Sequence, residues 1–582
     1  MIKTETVVGV FDTDNGLTSV ATPSGVGQTY LISYNPTTQT ITDHAQRNAV
    51  GEAAGGAVAM IDLSKVAGYI GDGTSSELDA LDAALALARS SGRAILLPYG
   101  TTNITIPASG TRNIGGVRFV GRGANASTLA ITVQGSIQTV FNLDAPGTTW
   151  ENLGITLAAA TAGQYHVFMY AGYGDVLVRN CRIVSHTGSA RSHFLKFADE
   201  AVTLTGFRFE NNDIQNFGYV TLKTNTSAST VKTIRHMNSR YVGNTYSACG
   251  VNAPVYGSLQ DVVVEGNYIE MNNIGGGQCC GVDFSGGKGI KISNNHFYGS
   301  FSDVIHLEEA VELLDVYGNT GEITACKTAI FITDNSVYPS QAVYSVRRGK
   351  VHHNTFLYTG TQIAYATILT GQGAFGLYTV YDASTREPAK SFEITDNKFI
   401  NFDLGLYLLD LAGARNRAWR NVAEGCVIGF RVREQSGNVK SNTSVGCATG
   451  IYMESSVVND HTFEDCTTPI AINGRNVVND LTYIWNAPGA GVMPMLPAVV
   501  SGSNKSVFLF DALQTNTNAL HRRYTVTYDG TTMNWTTTSG TASLSGGNDA
   551  WFQNVSGVLS AGFASGTGYG TTYLRGSALL TT

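Results

Sequence analysis

Three residues near the middle of the chain, Asp283, His306 and Glu308, have the types that acid–base chemistry needs. They sit in two short stretches, 281–285 and 304–308, where apolar and polar residues alternate. Alternation of period two marks strands. Val282, Phe284, Ile305 and Leu307 then point inward, and Asp283, His306 and Glu308 share the outward set. If the stretches are consecutive parallel strands, Asp283 and His306 fall in one column about 4.8 Å apart. Asp283 and Glu308 become diagonal neighbours, roughly 7–8 Å apart between backbones. Glycoside hydrolysis uses two carboxyls, about 5–5.5 Å apart for retention or about 6.5–9.5 Å for inversion. The diagonal pair reaches either geometry, inversion somewhat more readily. Crowded carboxylates raise one pKa and supply a general acid. His306 would orient or tune Asp283. Asp303, just before the second strand, and Glu309, just after it, are reserves.

The same alternation extends the outward set. Stretches at 194–198, 220–224, 329–333, 405–409, 429–433 and 450–454 present Lys196, Phe331, Tyr407, Arg431, Arg433, Tyr452 and Glu454. Phe331, Tyr407 and Tyr452 form an aromatic column of the kind sugars stack on, although such rings also pack under loops. Arg431 and Arg433 suit an acidic sugar, or pair with Glu434 or Glu454. Lys196 and Lys223 are candidate bases for an elimination. Gly371–Lys390, in the longest repeat interval, is expected to overhang one side of a groove.

A repeat positions these strands. Asn recurs at 212, 244, 267, 295, 319, 354, 397, 421 and 442, each time after a strand-like run. The short intervals cluster near 21–24 residues, and longer ones read as the same unit with loop insertions. Strands at this period without intervening helices indicate an all-β parallel β-helix. Asn suits its turns, and stacked copies can bond one another along the axis. Cys326, Cys426, Cys447 and Cys466 precede strands at an equivalent place, which Phe301 and Phe402 fill elsewhere. A slot shared by Cys and Phe is an inward core position of reduced thiols.

Gly71-Asp72-Gly73 leads into Thr74-Ser75-Ser76-Glu77, which reads as a capping box. Leu78, Leu81, Ala84, Leu85 and Ala88 then mark one helix face, and Ser90-Ser91-Gly92 stops it. The domains are a head or tether at 1–60, a helix-containing cap at 61–115, the β-helix at 116–485 and a β-rich tail at 486–582. The head holds one strand near 29–34. The tail carries a hairpin signal at Tyr524–Trp535 around Asp529-Gly530. The 582 residues are only 14% charged, against roughly 25% in an average domain. A net charge of −7 argues against a nucleic-acid partner. No apolar run is long enough to insert in a membrane, and the first residues do not read as a secretory signal. Cys-x-x-Cys and Cys-x-x-His spacings are absent, so no metal is expected.

Gly71-Asp72-Gly73, the following helix and Leu97-Pro98-Tyr99-Gly100-Thr101 resemble the capping start of pectate-lyase-like right-handed parallel β-helix proteins. Within them the chain resembles bacteriophage tailspikes over about residues 65–480. The resemblance implies a single-stranded right-handed coil and a homotrimer with a C-terminal antiparallel domain. It implies a virion-tail location, with the N-terminus on a baseplate or adaptor protein. It also implies binding and cleavage of a bacterial surface polysaccharide. That cleavage is read as endo-glycoside hydrolysis without a cofactor. The alternatives are a polysaccharide lyase and a non-catalytic glycan-binding adhesin.

Overall fold

A computed structural model describes most of residues 60–485, together with strands among residues 8–43 and 492–580. Gaps include 223–229, 244–258, 272–279, 334–346, 381–389 and 410–416. Side chains are described within 60–484.

The central part is a parallel β-helix in which each turn offers strands to three faces. Leu259–Glu265 pairs in parallel with the second half of Cys280–Ser293 on the first face. Tyr268–Met271 pairs with His296–Ser300 on the second. The first half of Cys280–Ser293 pairs with Asp303–Tyr317 on the third. Alternation within each strand sends apolar side chains into one continuous core, where Val282, Phe284, Ile305, Leu307, Phe430 and Ile451 are fully buried. Burial on this scale is the main stabilising term of the coil.

Asn builds one corner of the coil in two roles. Asn180, Asn211, Asn238 and Asn294 adopt left-handed φ values of 49° to 56°, which Asn tolerates better than most residues. The residue that follows faces inward. There the Asn267 amide N and Nδ2 donate to Asn295 Oδ1 at 3.0 and 2.9 Å. Asn267 Nδ2 also donates to the His236 carbonyl at 2.8 Å. The stacked contact repeats from Asn295 through Asn319, Asn354, Asn397 and Asn421 to Asn442. Every laddered Asn is thereby buried with its polar atoms matched. The slot between Asn212 and Asn267 belongs to Ser239, whose Oγ accepts from the Asn212 amide and whose own amide donates to Asn267 Oδ1. Asn244 lies outside the described residues.

Cys426 and Cys447 are buried, and Cys326 and Cys466 pack against the same core. All four are free thiols, and Phe301 and Phe402 fill the equivalent slot. Gly405 and Gly429 start third-face strands because a Cβ at either would lie 2.5 Å from a backbone carbonyl of the next turn.

The first turn is closed by the helix Leu78–Ser91, with Ala80, Leu81, Ala84, Leu85 and Ala88 buried and Gly92 left-handed at its end. The expected capping box does not form. Glu77 is itself the N-cap, and its carboxylate reaches back to accept from the amides of Ile70 (2.7 Å) and Gly71 (2.6 Å). Beyond the coil, Asn476–Trp485 pairs antiparallel with Thr572–Leu580, and Leu520–Tyr528 with Met533–Thr541. Thr29–Asn35 is a middle strand of a small antiparallel sheet near the N-terminus.

Candidate functional site

The third face carries the candidate residues. Its register runs Asp283, His306, Phe331, Tyr378, Tyr407, Arg431, Tyr452 on consecutive turns. The expected column therefore exists, with Asp283 directly beside His306. One turn-long member was missed. Tyr378 belongs to Phe375–Val380, a strand of this face and not an overhang. Sequence reading left it inside the supposed insertion Gly371–Lys390, yet its alternation resembles that of the other third-face strands.

Asp283 and His306 are 6% and 8% exposed. His306 Nδ1 lies 2.9 Å from Asp303 Oδ2. With Asp303 as a carboxylate, which only accepts, Nδ1 is the donor in this contact. His306 was expected to orient or tune Asp283, its neighbour in register; its ring also meets the reserve residue Asp303. The His306 ring also lies 4.8 Å from that of Phe331, and Phe331 stacks at 5.7 Å on Tyr378. Glu308 stands opposite Ser285 and Thr333 in register, which keeps it diagonal to Asp283. The side chains of Glu308 and Glu309 are outside the described set, as are Lys223 and Glu434.

Cys280 begins the same strand as Asp283 and is paired in register with Asp303. Its Sγ is 3.5 Å from Ser302 Oγ. Burial, reinforced by the charges of Asp283 and Asp303, pushes its thiol well up. Cys280, Asp303 and His306 offer ligand atoms that all lie within 4.8 Å of one another, and all three are buried. They are the donor set able to hold a metal among the described residues.

Further along, the column is roofed. The helix Tyr365–Leu369 buries Ile368 against Phe375, Leu404, Tyr407 and Ile428. Tyr407 is 7% exposed, which corrects the expectation of an open sugar platform there. Asp403 pins the roof, accepting from the amides of Ile363 and Ala374 at 2.6 Å each. Gln362 Nε2 adds bonds to the carbonyls of Asn401, Phe402 and Gly425. Arg431 lies over the Tyr407 ring at 4.7 Å, bonds Glu454 at 3.1 Å and donates to the Leu369 carbonyl at 3.2 Å. It is therefore committed to the roof and to Glu454. Tyr452 meets Tyr365 edge-on at 6.3 Å, and burial pushes the Tyr365 hydroxyl up to about 12. Arg433 is exposed at the end of its strand. Lys196 lies on His193–Phe197, in a sheet where it pairs in register with Tyr170 and Leu222, and residues 244–258 between that sheet and the strand of Asp283 are not described. No pairing joins that sheet to the strand of Asp283 among the described residues.

The chemistry of the face is thus concentrated at Cys280, Asp283, Asp303, His306 and the Phe331–Tyr378 pair. The architecture is that of a parallel β-helix with an N-terminal helix. No family model matches the chain, and no curated protein matches it. Among solved structures it is similar to the tailspike protein of the E. coli bacteriophage HK620 in complex with a pentasaccharide. The identity is 11%, over 96% of this chain and 98% of that one, with a TM-score of 0.40. It is also similar to the catalytic unit of an α-1,3-glucanase from Streptomyces thermodiastaticus. There the identity is 14%, over 71% and 65%, with a TM-score of 0.37. A surface protein and adhesin of Streptococcus pneumoniae gives 11% identity over 71% and 100%, with a TM-score of 0.36. Likenesses of this size do not reach chemistry; the fold statement rests on the strand register above.

Proposed function

We propose that the protein is a tailspike-like depolymerase that binds a bacterial surface polysaccharide on its third face and cleaves it as an endo-glycoside hydrolase. The observation that carries this reading is the register of Cys280–Ser293 on Asp303–Tyr317, with Asp283 beside His306 and Ser285 beside Glu308. It makes Asp283 and Glu308 a diagonal carboxylate pair, in the range that glycoside hydrolysis uses. One carboxyl would protonate the leaving oxygen, and the other would activate water or attack the sugar carbon. Phe331 and Tyr378 supply a stacking surface next to the pair. The homotrimer, the virion tail and attachment through the N-terminus belong to the same proposal. They rest on the resemblance to tailspikes, which the head before the cap and the β-rich tail after the coil support.

A second reading is favoured by one observation. Asp303 against His306 Nδ1 is an arrangement that readies Nε2 to abstract a proton, as β-elimination from a uronate requires. The test is to incubate the protein with host polysaccharide and weigh the fragments. Fragments heavier by one water support hydrolysis. An unsaturated, ultraviolet-absorbing end supports elimination. Binding without fragments would sink both and leave an adhesin.

A further inference from the structure

A second column runs along the start of the third-face strands: Cys280, Asp303, Thr328, Phe375, Leu404, Ile428. Its later members are apolar and lie under the roof helix. Its first members are a thiol and a carboxylate, and the His306 ring reaches the same place. We infer that Cys280, Asp303 and His306 form a binding site for a thiophilic divalent cation of the Zn²⁺ class.

The donor types select the ion. Thiolate and imidazole suit zinc and its neighbours, whereas Mg²⁺ and Ca²⁺ take oxygen ligands throughout. The geometry needs small changes only. Zinc bonds of about 2.3 Å to sulfur and about 2.0–2.2 Å to nitrogen and oxygen set ligand atoms roughly 3.3–3.7 Å apart. The Asp303–His306 contact of 2.9 Å opens slightly, and Cys280 Sγ swings in from within 4.8 Å. Both are side-chain rotations on strands whose backbones are already paired, Cys280 directly opposite Asp303. The side chains of His306 and Asp303 keep 10% and 12% exposure, enough for an ion to enter. On binding, the Cys280 S–H bond gives its proton to solvent as the sulfur–metal bond forms. Three protein ligands leave a fourth position for water.

Binding stands independently of the depolymerase reading. One consequence rests on that reading: an ion that takes His306 withdraws it from proton transfer, so Zn²⁺ slows cleavage. The test uses the full chain titrated with Zn²⁺ against a chromophoric chelator, and with Co²⁺ followed by absorption. The expected result is one tight equivalent and a thiolate-to-cobalt charge-transfer band. Cys280→Ser loses the band and weakens binding at least 100-fold, Asp303→Asn weakens it about 10-fold or more, and Cys447→Ser, at a buried thiol elsewhere in the coil, changes neither. No band in the parent chain, or equal binding by Cys280→Ser, overturns the site. Circular dichroism and unfolding midpoints of the variants show that a loss is not misfolding. If the parent binds Zn²⁺ yet yields no fragments from any polysaccharide, the metal site holds and the depolymerase reading fails.

Discussion

Asp303 Oδ2 sits 2.9 Å from His306 Nδ1, three residues away along one strand. The strand geometry brings a carboxylate at the corner and a ring on the face into contact without help from another turn. The contact ties one ring nitrogen to a carboxylate and so bears on what His306 can offer to a substrate.

The acid–base pair is tested by Asp283→Asn and Glu308→Gln. Each is expected to lower turnover by about 10²–10⁴-fold while glycan binding and the unfolding midpoint stay near those of the parent. Fragment release at the parental rate by both variants would remove the assignment.

Asp303→Asn separates orientation from charge. Asn can donate to Nδ1 and so favours the other tautomer. Turnover should drop about 10-fold or more with KM little changed, and the pH profile should lose the limb that His306 sets. An unaltered profile would mean that the contact is structural only.

The ladder is tested at Asn354, which accepts from the amide and side chain of Asn319 and donates to Val316 and Asn397. Asn354→Ala strands these buried groups, at about 1–3 kcal/mol each, so a total loss of about 3 kcal/mol or more is expected in denaturant titrations. Asn354→Ser should recover part of it, because Ser239 already fills one ladder slot. A serine variant no better than alanine would contradict that account.

Acid lability follows from His236 and His461. Burial pushes both rings down from 6.5 to about 3. Below pH 6.5 the unfolded chain takes up protons there and the folded chain does not. Stability is full above pH 6.5 and falls by about 1.4 kcal/mol per pH unit for each histidine on the way to pH 3. His461→Asn should flatten the decline between pH 6.5 and 4; an unchanged slope would disprove its share.

The coil was legible because its corner chemistry repeats in one residue type. Where the type changed, reading failed: Ser239 replaced Asn in the ladder, and Gly243-Asn244 imitated the motif five residues later. The strand Phe375–Val380 was hidden because the longest interval suggested a loop. Asp283, His306, Phe331 and Tyr452 were legible as a column because alternation fixes the face of each strand. The burial of Tyr407 was not, since only the folded chain shows Ile368 lying over it. The Cys280–Asp303–His306 cluster obeys no local spacing rule. Its first two members are 23 residues apart in sequence and become neighbours through register alone.

The Asn ladder gives the coil a direction and a unit of length. Each side-chain amide hands its hydrogen to the turn after it and receives one from the turn before, so the dipoles run head to tail. Every junction from Asn267 to Asn442 is chemically the same as the next. A complete turn can be excised or duplicated and the faces on either side still meet with matched polarity. Length is therefore a free variable of this architecture, and a binding face can be extended by whole turns without redesign of its ends.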